Sequence, residues 1–87
     1  MPTISIFFGI IIKIYYREHN PPHIHAFYQG FEAVFSIKKA QKVTGKFPIK
    51  ADKIVSEWIS KHQVGLMENW NLMQEGKELF RIPGADQ

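Results

Sequence analysis

Between Thr3 and Arg17, apolar and polar side chains alternate along the chain. Apolar residues hold every even position from Ile4 to Tyr16, whereas polar residues and a glycine hold most of the odd positions. A period of two is typical of a β-strand with one buried face. Gly9 interrupts the run with a residue suited to a turn or bulge. The pattern therefore predicts two strands, or one bent strand, whose even-numbered side chains face the core.

A second alternating segment surrounds Gln29 and Gly30. Glycine tolerates the positive φ that two-residue hairpin turns require, so we predict a hairpin here. Its register pairs Tyr28 with Phe31, Ala26 with Ala33 and Ile24 with Phe35, a wholly apolar set that should face the core. The opposite face holds His23, His25, Phe27, Glu32, Val34 and Ser36. Glu32 is then diagonal to His25, a backbone separation of roughly 7–8 Å that long side chains can close.

The second half of the chain changes to a helical period. Apolar residues recur at spacings of three and four over residues 49–62, after Pro48, a residue well tolerated at a helix start. A second helix is expected over residues 64–75, with Gly76 placed to end it. The predicted buried positions are Ala51, Ile54, Val55, Trp58 and His62 in the first helix, and Leu66, Met67, Trp70 and Met73 in the second. Two short strands are also predicted, at 41–44 and 79–82.

Together these elements predict a single small α+β domain over residues 1–87. An antiparallel sheet of about four to five strands from the N-terminal half should pack against a C-terminal helical hairpin. A chain of 87 residues suffices for one core but not for two. Its 45% hydrophobic and 22% charged residues are typical of a globular protein.

The absence of cysteine excludes disulfides, thiolate catalysis and cysteine-based zinc sites, and it fits a reducing cytoplasm. Lys13 interrupts the apolar N-terminal run well short of the ~20 residues that a membrane-spanning helix needs. This run also lacks the basic region and cleavage site of a signal peptide. We therefore expect a cytoplasmic protein with no membrane partner.

The net charge of +3 is unevenly distributed along the chain. Residues 38–53 hold six lysines and a single acid, Asp52. The lysines are Lys38, Lys39, Lys42, Lys46, Lys50 and Lys53. A basic segment of this kind suits a nucleic acid or an acidic partner, and the first five lysines are our candidate binding residues. The alternative is a solvated, lysine-rich connection without a binding role.

Residues 17–25 read Arg-Glu-His-Asn-Pro-Pro-His-Ile-His and contain three of the four histidines. His23 and His25 are two apart on a predicted strand, so both leave the same face about 7 Å apart and can converge on one ion. Neutral imidazoles suit divalent transition metals, and Glu32 or Glu18 can supply an oxygen ligand. We therefore predict His23 and His25 as metal ligands. The alternative is that they are hydrogen-bonded surface histidines.

The same segment also fits metal-free cleavage of RNA through its own 2′-hydroxyl. That reaction needs a base, an acid and a cation beside the phosphate, and imidazole and carboxylate groups can exchange the protons. The candidate catalytic residues are His23, His25, Glu32, Glu18 and Arg17, and His19 is a further candidate binding residue. The residues alone leave open whether the protein is an enzyme.

Several segments resemble the small bacterial family known as domain of unknown function 4160. They are Met1–Ser5, Gly9–Ile10, Tyr16–Ala26, Glu32–Val34, Ser36–Ile37 and Glu68–Trp70. The resemblance covers nearly the whole chain, and its Arg-Glu-His-Asn-Pro-Pro-His motif is unbroken. It implies a module similar to a toxin–antitoxin pair, in which a neighbouring gene encodes a small partner protein. It also implies a shared site at Glu18, His19, His23 and His25.

Three functional hypotheses follow for this chain. The first is a cytoplasmic bacterial protein of toxin–antitoxin-like type that binds a partner protein, and RNA as a further candidate, through its histidine-rich face. The second is a small ribonuclease-like toxin. The third is a protein that binds a divalent transition metal without catalysis. All three are compatible with a homo-oligomer.

Overall fold

Five strands followed by two helices make up the computed structural model of this protein, which describes residues 2–87 and leaves Met1 outside. The elements are β1 (Thr3–Phe7), β2 (Ile10–Lys13), β3 (His23–Tyr28), β4 (Phe31–Ser36), β5 (Gln41–Gly45), α1 (Ile49–Lys61) and α2 (Gln63–Gln74). The strands form one antiparallel sheet in chain order. The predicted α+β class is therefore confirmed, with five strands in the sheet.

The β1–β2 pair departs from the simple alternation expected of it. Its register shifts at a bulge between Thr3 and Ser5. Beyond the bulge Phe7 is buried, whereas Ile6 and Phe8 are 52% and 58% exposed. A bulge inserts one extra residue and so moves the following side chains to the other face. The expectation that all even positions face the core is therefore wrong in this part of β1, but it is confirmed in β2.

The β3–β4 hairpin has the predicted register. It turns at Gln29 and Gly30, both at positive φ. Tyr28 pairs with Phe31, Ala26 with Ala33 and Ile24 with Phe35, and the last two pairs are buried. Because side chains alternate along a strand, His23, His25 and Glu32 lie on the opposite face of the sheet.

Both helices contribute to a single hydrophobic core with the sheet. α1 begins directly after Pro48, and only His62 separates it from α2. The phenyl ring of Phe7 on β1 lies 5.0 Å from the indole of Trp58 on α1. Of the predicted buried positions, Ile54, His62 and Met67 are only partly buried, whereas Ile59 is fully buried and was not predicted. Within residues 2–87, neither helix is long and apolar enough to cross a bilayer.

Residues 79–82 do not form the strand that their sequence suggested. The amide of Ile82 donates to the carbonyl of Ile4 at 2.8 Å, and this is the one backbone–backbone hydrogen bond between the segment and β1 within residues 2–87. The buried side chain of Asn69 on α2 supplies the other partners, since its amide donates to the Phe80 carbonyl and its oxygen accepts from the Phe80 amide, both at 2.9 Å. The segment therefore lies between β1 and α2, where an amide side chain takes the place of a neighbouring strand.

Candidate metal centre

Three ionisable side chains meet where the β2–β3 connection leads into β3. Glu18 lies in the connection, and His23 and His25 leave the same face of the strand. Glu18 Oε2 is 3.2 Å from His23 Nε2, and Glu18 Oε1 is 2.5 Å from His25 Nε2. One potential ligand atom from each residue lies within 4.8 Å of the other two. We call these three residues the triad.

The hydrogen bond on the far side of His23 determines what its ring offers to the triad. His23 Nδ1 is 2.8 Å from the carbonyl oxygen of Pro21. A carbonyl only accepts, so Nδ1 carries a proton and donates it. In the neutral imidazole, Nε2 then presents a lone pair to Glu18 Oε2. Two acceptors cannot bond to one another, so this gap requires a proton or a cation.

His25 has at least one unsatisfied ring nitrogen in either neutral tautomer. Its Nε2 faces Glu18, and its Nδ1 is buried without a hydrogen-bond partner, 3.9 Å from Glu32 Oε2. A neutral imidazole has one donor and one acceptor nitrogen. Whichever nitrogen holds the proton, the other presents a lone pair to a carboxylate or to a buried space. The surroundings of His25 therefore suit an additional positive charge.

The lysine opposite His25 on the neighbouring strand does not supply that charge. Lys13 on β2 lies directly opposite His25 in the strand register. Its ammonium group lies 5.2 Å from the centre of the Phe27 ring instead. Among residues 2–87, no ion pair joins it to Glu18 or Glu32. The carboxylates of Glu18 and Glu32 therefore lie beside the imidazoles of His23 and His25, and no lysine or arginine forms an ion pair with either carboxylate among residues 2–87.

Aromatic rings pack against both imidazoles of the triad. Tyr15 meets His25 edge to face at 4.6 Å, the two imidazole centres are 5.3 Å apart, and Trp70 lies 5.1 Å from His23. This row of four rings restricts how far either imidazole can rotate. Burial raises the pKa of the Tyr15 hydroxyl, and the negative charges of Glu32 and Glu18 raise it further.

Trp70 also holds the connection that carries Glu18. Its indole N–H donates to Asn20 Oδ1 at 3.2 Å, across fifty residues of sequence. Spacing on α2 predicted only the core role of Trp70, which the structure confirms with 1% exposure. Asn20 lies within the ionisable motif and Tyr15 lies two residues before it, and this proximity in sequence was the available signal for their roles here.

Arg17 and His19 lie outside the triad, although the sequence grouped them with it. Both line a cleft of about 540 Å³ between residues 16–19 on one side and Met73, Gln74 and Gly76 on the other. Glu18 lies in the wall of this cleft as well as in the triad. The motif therefore contributes to two places. Glu18 meets His23 and His25 in the triad, whereas Arg17 and His19, its neighbours in sequence, line the cleft.

The candidate binding lysines lie around β5 and the start of α1. Lys38, Lys39, Lys46 and Lys50 are exposed, whereas Lys42 is partly buried. Lys42 Nζ lies 3.9 Å from Asp52 Oδ2. Across residues 2–87, no ion pair or side-chain hydrogen bond connects these lysines to the triad. The basic segment and the histidine-rich segment are therefore separate features, and the binding role of the lysines stays a prediction.

Comparison with known proteins identifies a family and gives no further relatives. The profile of a family described as "Domain of unknown function (DUF4160)" matches residues 9–71. This range includes the triad, Tyr15, Asn20 and Trp70, and it ends before the α2 wall of the cleft. No curated protein and no solved structure matches the chain.

Proposed function

We propose that this chain, which belongs to the DUF4160 family, binds a divalent transition-metal ion through the triad. Glu18, His23 and His25 are the proposed ligands. The observation that carries the proposal is that three donor atoms converge within 4.8 Å. In addition, the neutral imidazole of His23 presents a lone pair to Glu18 Oε2, and His25 Nδ1 is buried without a hydrogen-bond partner.

The donor set favours zinc or a similar ion. Imidazole nitrogens suit zinc, nickel, copper and iron, and two histidines with one carboxylate form a known catalytic zinc set. Calcium requires six to eight oxygen ligands, and magnesium keeps several waters and prefers carboxylates. Three protein ligands leave a fourth position of tetrahedral zinc for water or another ligand. The side chains of the triad are 15–25% exposed, so that position is accessible from solvent.

His23 has an outer partner of the kind that metal-ligating histidines use, and a carboxylate lies near the corresponding atom of His25. A ligating histidine usually donates its second N–H to a carbonyl or carboxylate, which fixes the tautomer and the ring orientation. For His23 this partner is the Pro21 carbonyl, at 2.8 Å. For His25 it is Glu32, whose Oε2 is 3.9 Å from Nδ1 and needs only a small side-chain movement to accept. With a metal on Nε2, His25 would carry its proton on Nδ1, and this otherwise unpaired nitrogen could donate to Glu32.

Direct measurement of metal binding tests this proposal. Protein made without a histidine tag should retain about one equivalent of zinc after desalting near neutral pH, and Glu18→Gln and the double variant His23→Ala/His25→Ala should retain none. His62→Ala is the matched control, because it removes an imidazole outside the triad. Absence of bound ion in the wild type, or equal binding in the triad variants, contradicts the proposal.

A second candidate function is binding of an acidic partner, either protein or RNA, through the exposed lysines. The observation in its favour is that Lys38, Lys39, Lys46 and Lys50 are exposed close together in sequence around β5. In the toxin–antitoxin-like arrangement, the partner would be the small protein of a neighbouring gene. Affinity for RNA should fall steeply as the salt concentration rises. The slope of log affinity against log salt concentration should decrease in magnitude by about one for each phosphate-contacting lysine that is removed. A salt-independent affinity would exclude RNA.

Metal-free cleavage of RNA remains the competing explanation of the triad. In that reaction His23 and His25 would exchange protons with the substrate while Arg17 bound the phosphate. Protein treated with a chelator should then cleave RNA, and His23→Ala should abolish cleavage without a change in fold. Cleavage that requires added metal would favour the metal proposal instead.

A further inference from the structure

The cleft beside the triad combines an open volume with a guanidinium group that has no ion-pair partner among residues 2–87. Its volume of about 540 Å³ lies within the range of small-molecule sites. The Arg17 guanidinium forms no ion pair with a carboxylate among residues 2–87, and neither does the imidazole of His19.

The opposite wall of the cleft restricts where a negative charge can lie. It is formed by the C-terminal end of α2, which carries the negative end of the helix dipole. Glu75 adds a carboxylate there, but Lys77 Nζ lies 2.9 Å from it. An anionic group is therefore favoured on the Arg17 side and disfavoured on the α2 side. The ring of Tyr16, which is 40% exposed, provides a contact for an apolar body.

We propose that this cleft binds a small organic oxyanion. Its carboxylate or phosphate group pairs with Arg17, and its body packs on the exposed ring of Tyr16. A guanidinium group binds a carboxylate or a phosphate through two parallel hydrogen bonds, so both kinds of ligand would be recognised in the same way. The inference extends the proposed function, because Glu18 lies in the cleft wall as well as in the triad. A metal held by Glu18 would add a second positive charge at the edge of the cleft.

The side chain of Tyr16 fixes the two walls relative to one another. Its hydroxyl donates to the Lys77 carbonyl at 2.6 Å, which joins the β2–β3 connection to the segment after α2. A cleft whose walls are bonded together loses little freedom when a ligand enters. The site is therefore preorganised on its apolar side, and Arg17 is exposed to solvent.

Calorimetric titration with phenyl phosphate and with benzoate tests the inference and distinguishes the two oxyanion sources. Each probe is added to zinc-loaded protein and to chelator-treated protein. Arg17→Gln should weaken binding of the preferred probe at least tenfold in both forms, as expected for loss of a charge-assisted pair. Arg81→Gln removes the only other arginine and should leave the affinity unchanged.

The two forms of the protein separate this inference from the metal proposal. If zinc binds but neither probe does, the cleft inference fails and the metal proposal stands. If zinc does not bind, the metal proposal fails, and Arg17-dependent binding in the chelated protein still supports the cleft. Equal affinity in Arg17→Gln and wild type overturns the inference. Tighter, Arg17-dependent binding of a short oligoribonucleotide would overturn it in favour of RNA.

Discussion

Zinc should stabilise this protein against heat, and Glu32→Gln should remove about half of that stabilisation. The substitution keeps the volume of the side chain but replaces a carboxylate with an amide. In the structure Glu32 approaches His25 Nδ1 to 3.9 Å and makes no contact with the metal-facing nitrogens. In the proposed metal site it would therefore be a positioning residue, whose loss weakens zinc binding without removing a ligand.

The expected magnitude follows from linkage between binding and folding. Zinc at 100 times its dissociation constant stabilises the folded state by about 2.7 kcal/mol, if the unfolded chain does not bind it. For a domain of this size that raises the melting temperature by roughly 10–20 °C. Loss of an outer partner of a ligating histidine typically costs 10–100-fold in affinity. Because Glu32 is 58% exposed and its carboxylate lies beyond hydrogen-bond distance of His25 Nδ1, we expect a loss of zinc affinity at the lower end of this range, about tenfold. The stabilisation then falls to about 1.4 kcal/mol at the same zinc concentration.

Thermal unfolding with and without zinc, followed by circular dichroism, measures this difference. Glu68→Gln on the exposed surface of α2 is the matched control and should keep the full zinc shift. Glu18→Gln removes a ligand and should show almost no shift. A full shift in Glu18→Gln, or equal losses in Glu32→Gln and Glu68→Gln, would refute the assignment of these residues.

Three further outcomes follow from individual contacts. Trp70→Phe removes the indole bond to Asn20 and leaves a small cavity, so it should destabilise the fold by about 1–3 kcal/mol, seen as a lower urea midpoint. An unchanged midpoint would contradict it. The pKa of Tyr15 lies above its ordinary value of 10.0, so Glu32→Gln should lower it in a tyrosinate absorbance titration that uses Tyr15→Phe as the blank. Since this pKa is higher in the folded state, the stability it contributes is complete below about pH 10 and is lost as the pH rises through the folded value. Gly45→Ala would place a Cβ 2.5 Å from the carbonyl oxygen of Glu32 at a φ of +92°, so it should cost about 2–4 kcal/mol; a wild-type melting temperature would contradict this.

The features that sequence predicted correctly depend on local patterns. The β3–β4 hairpin has alternating strands on both sides of Gln29-Gly30, so its turn and register could be read together. The common face of His23 and His25 follows from the same period of two. The choice between Glu18 and Glu32 as the oxygen neighbour of Nε2 could not be made, because Glu18 lies in an irregular connection whose path depends on distant residues.

The features that sequence missed depend on contacts between distant segments. The bulge in β1 lies where residues of the C-terminal segment bond to the strand, since the Ser5 hydroxyl donates to the Ile82 carbonyl at 2.8 Å. Similarly, Trp70 reaches Asn20 and His23 from α2. A helical period predicts that Trp70 is buried, but it does not indicate which loop the indole will meet.

This long-range contact affects what metal binding would do to the whole protein. The triad lies within residues 18–25, so a metal held only by a loose loop would order that loop and leave the core unchanged. Here Trp70 packs on His23 and bonds to Asn20, while also lying in the core with 1% exposure. Separation of α2 from the sheet would therefore remove the packing that positions one ligand. Metal binding and the packing of α2 on the sheet should stabilise each other, so zinc should raise the midpoint of the cooperative unfolding transition rather than produce a separate local one.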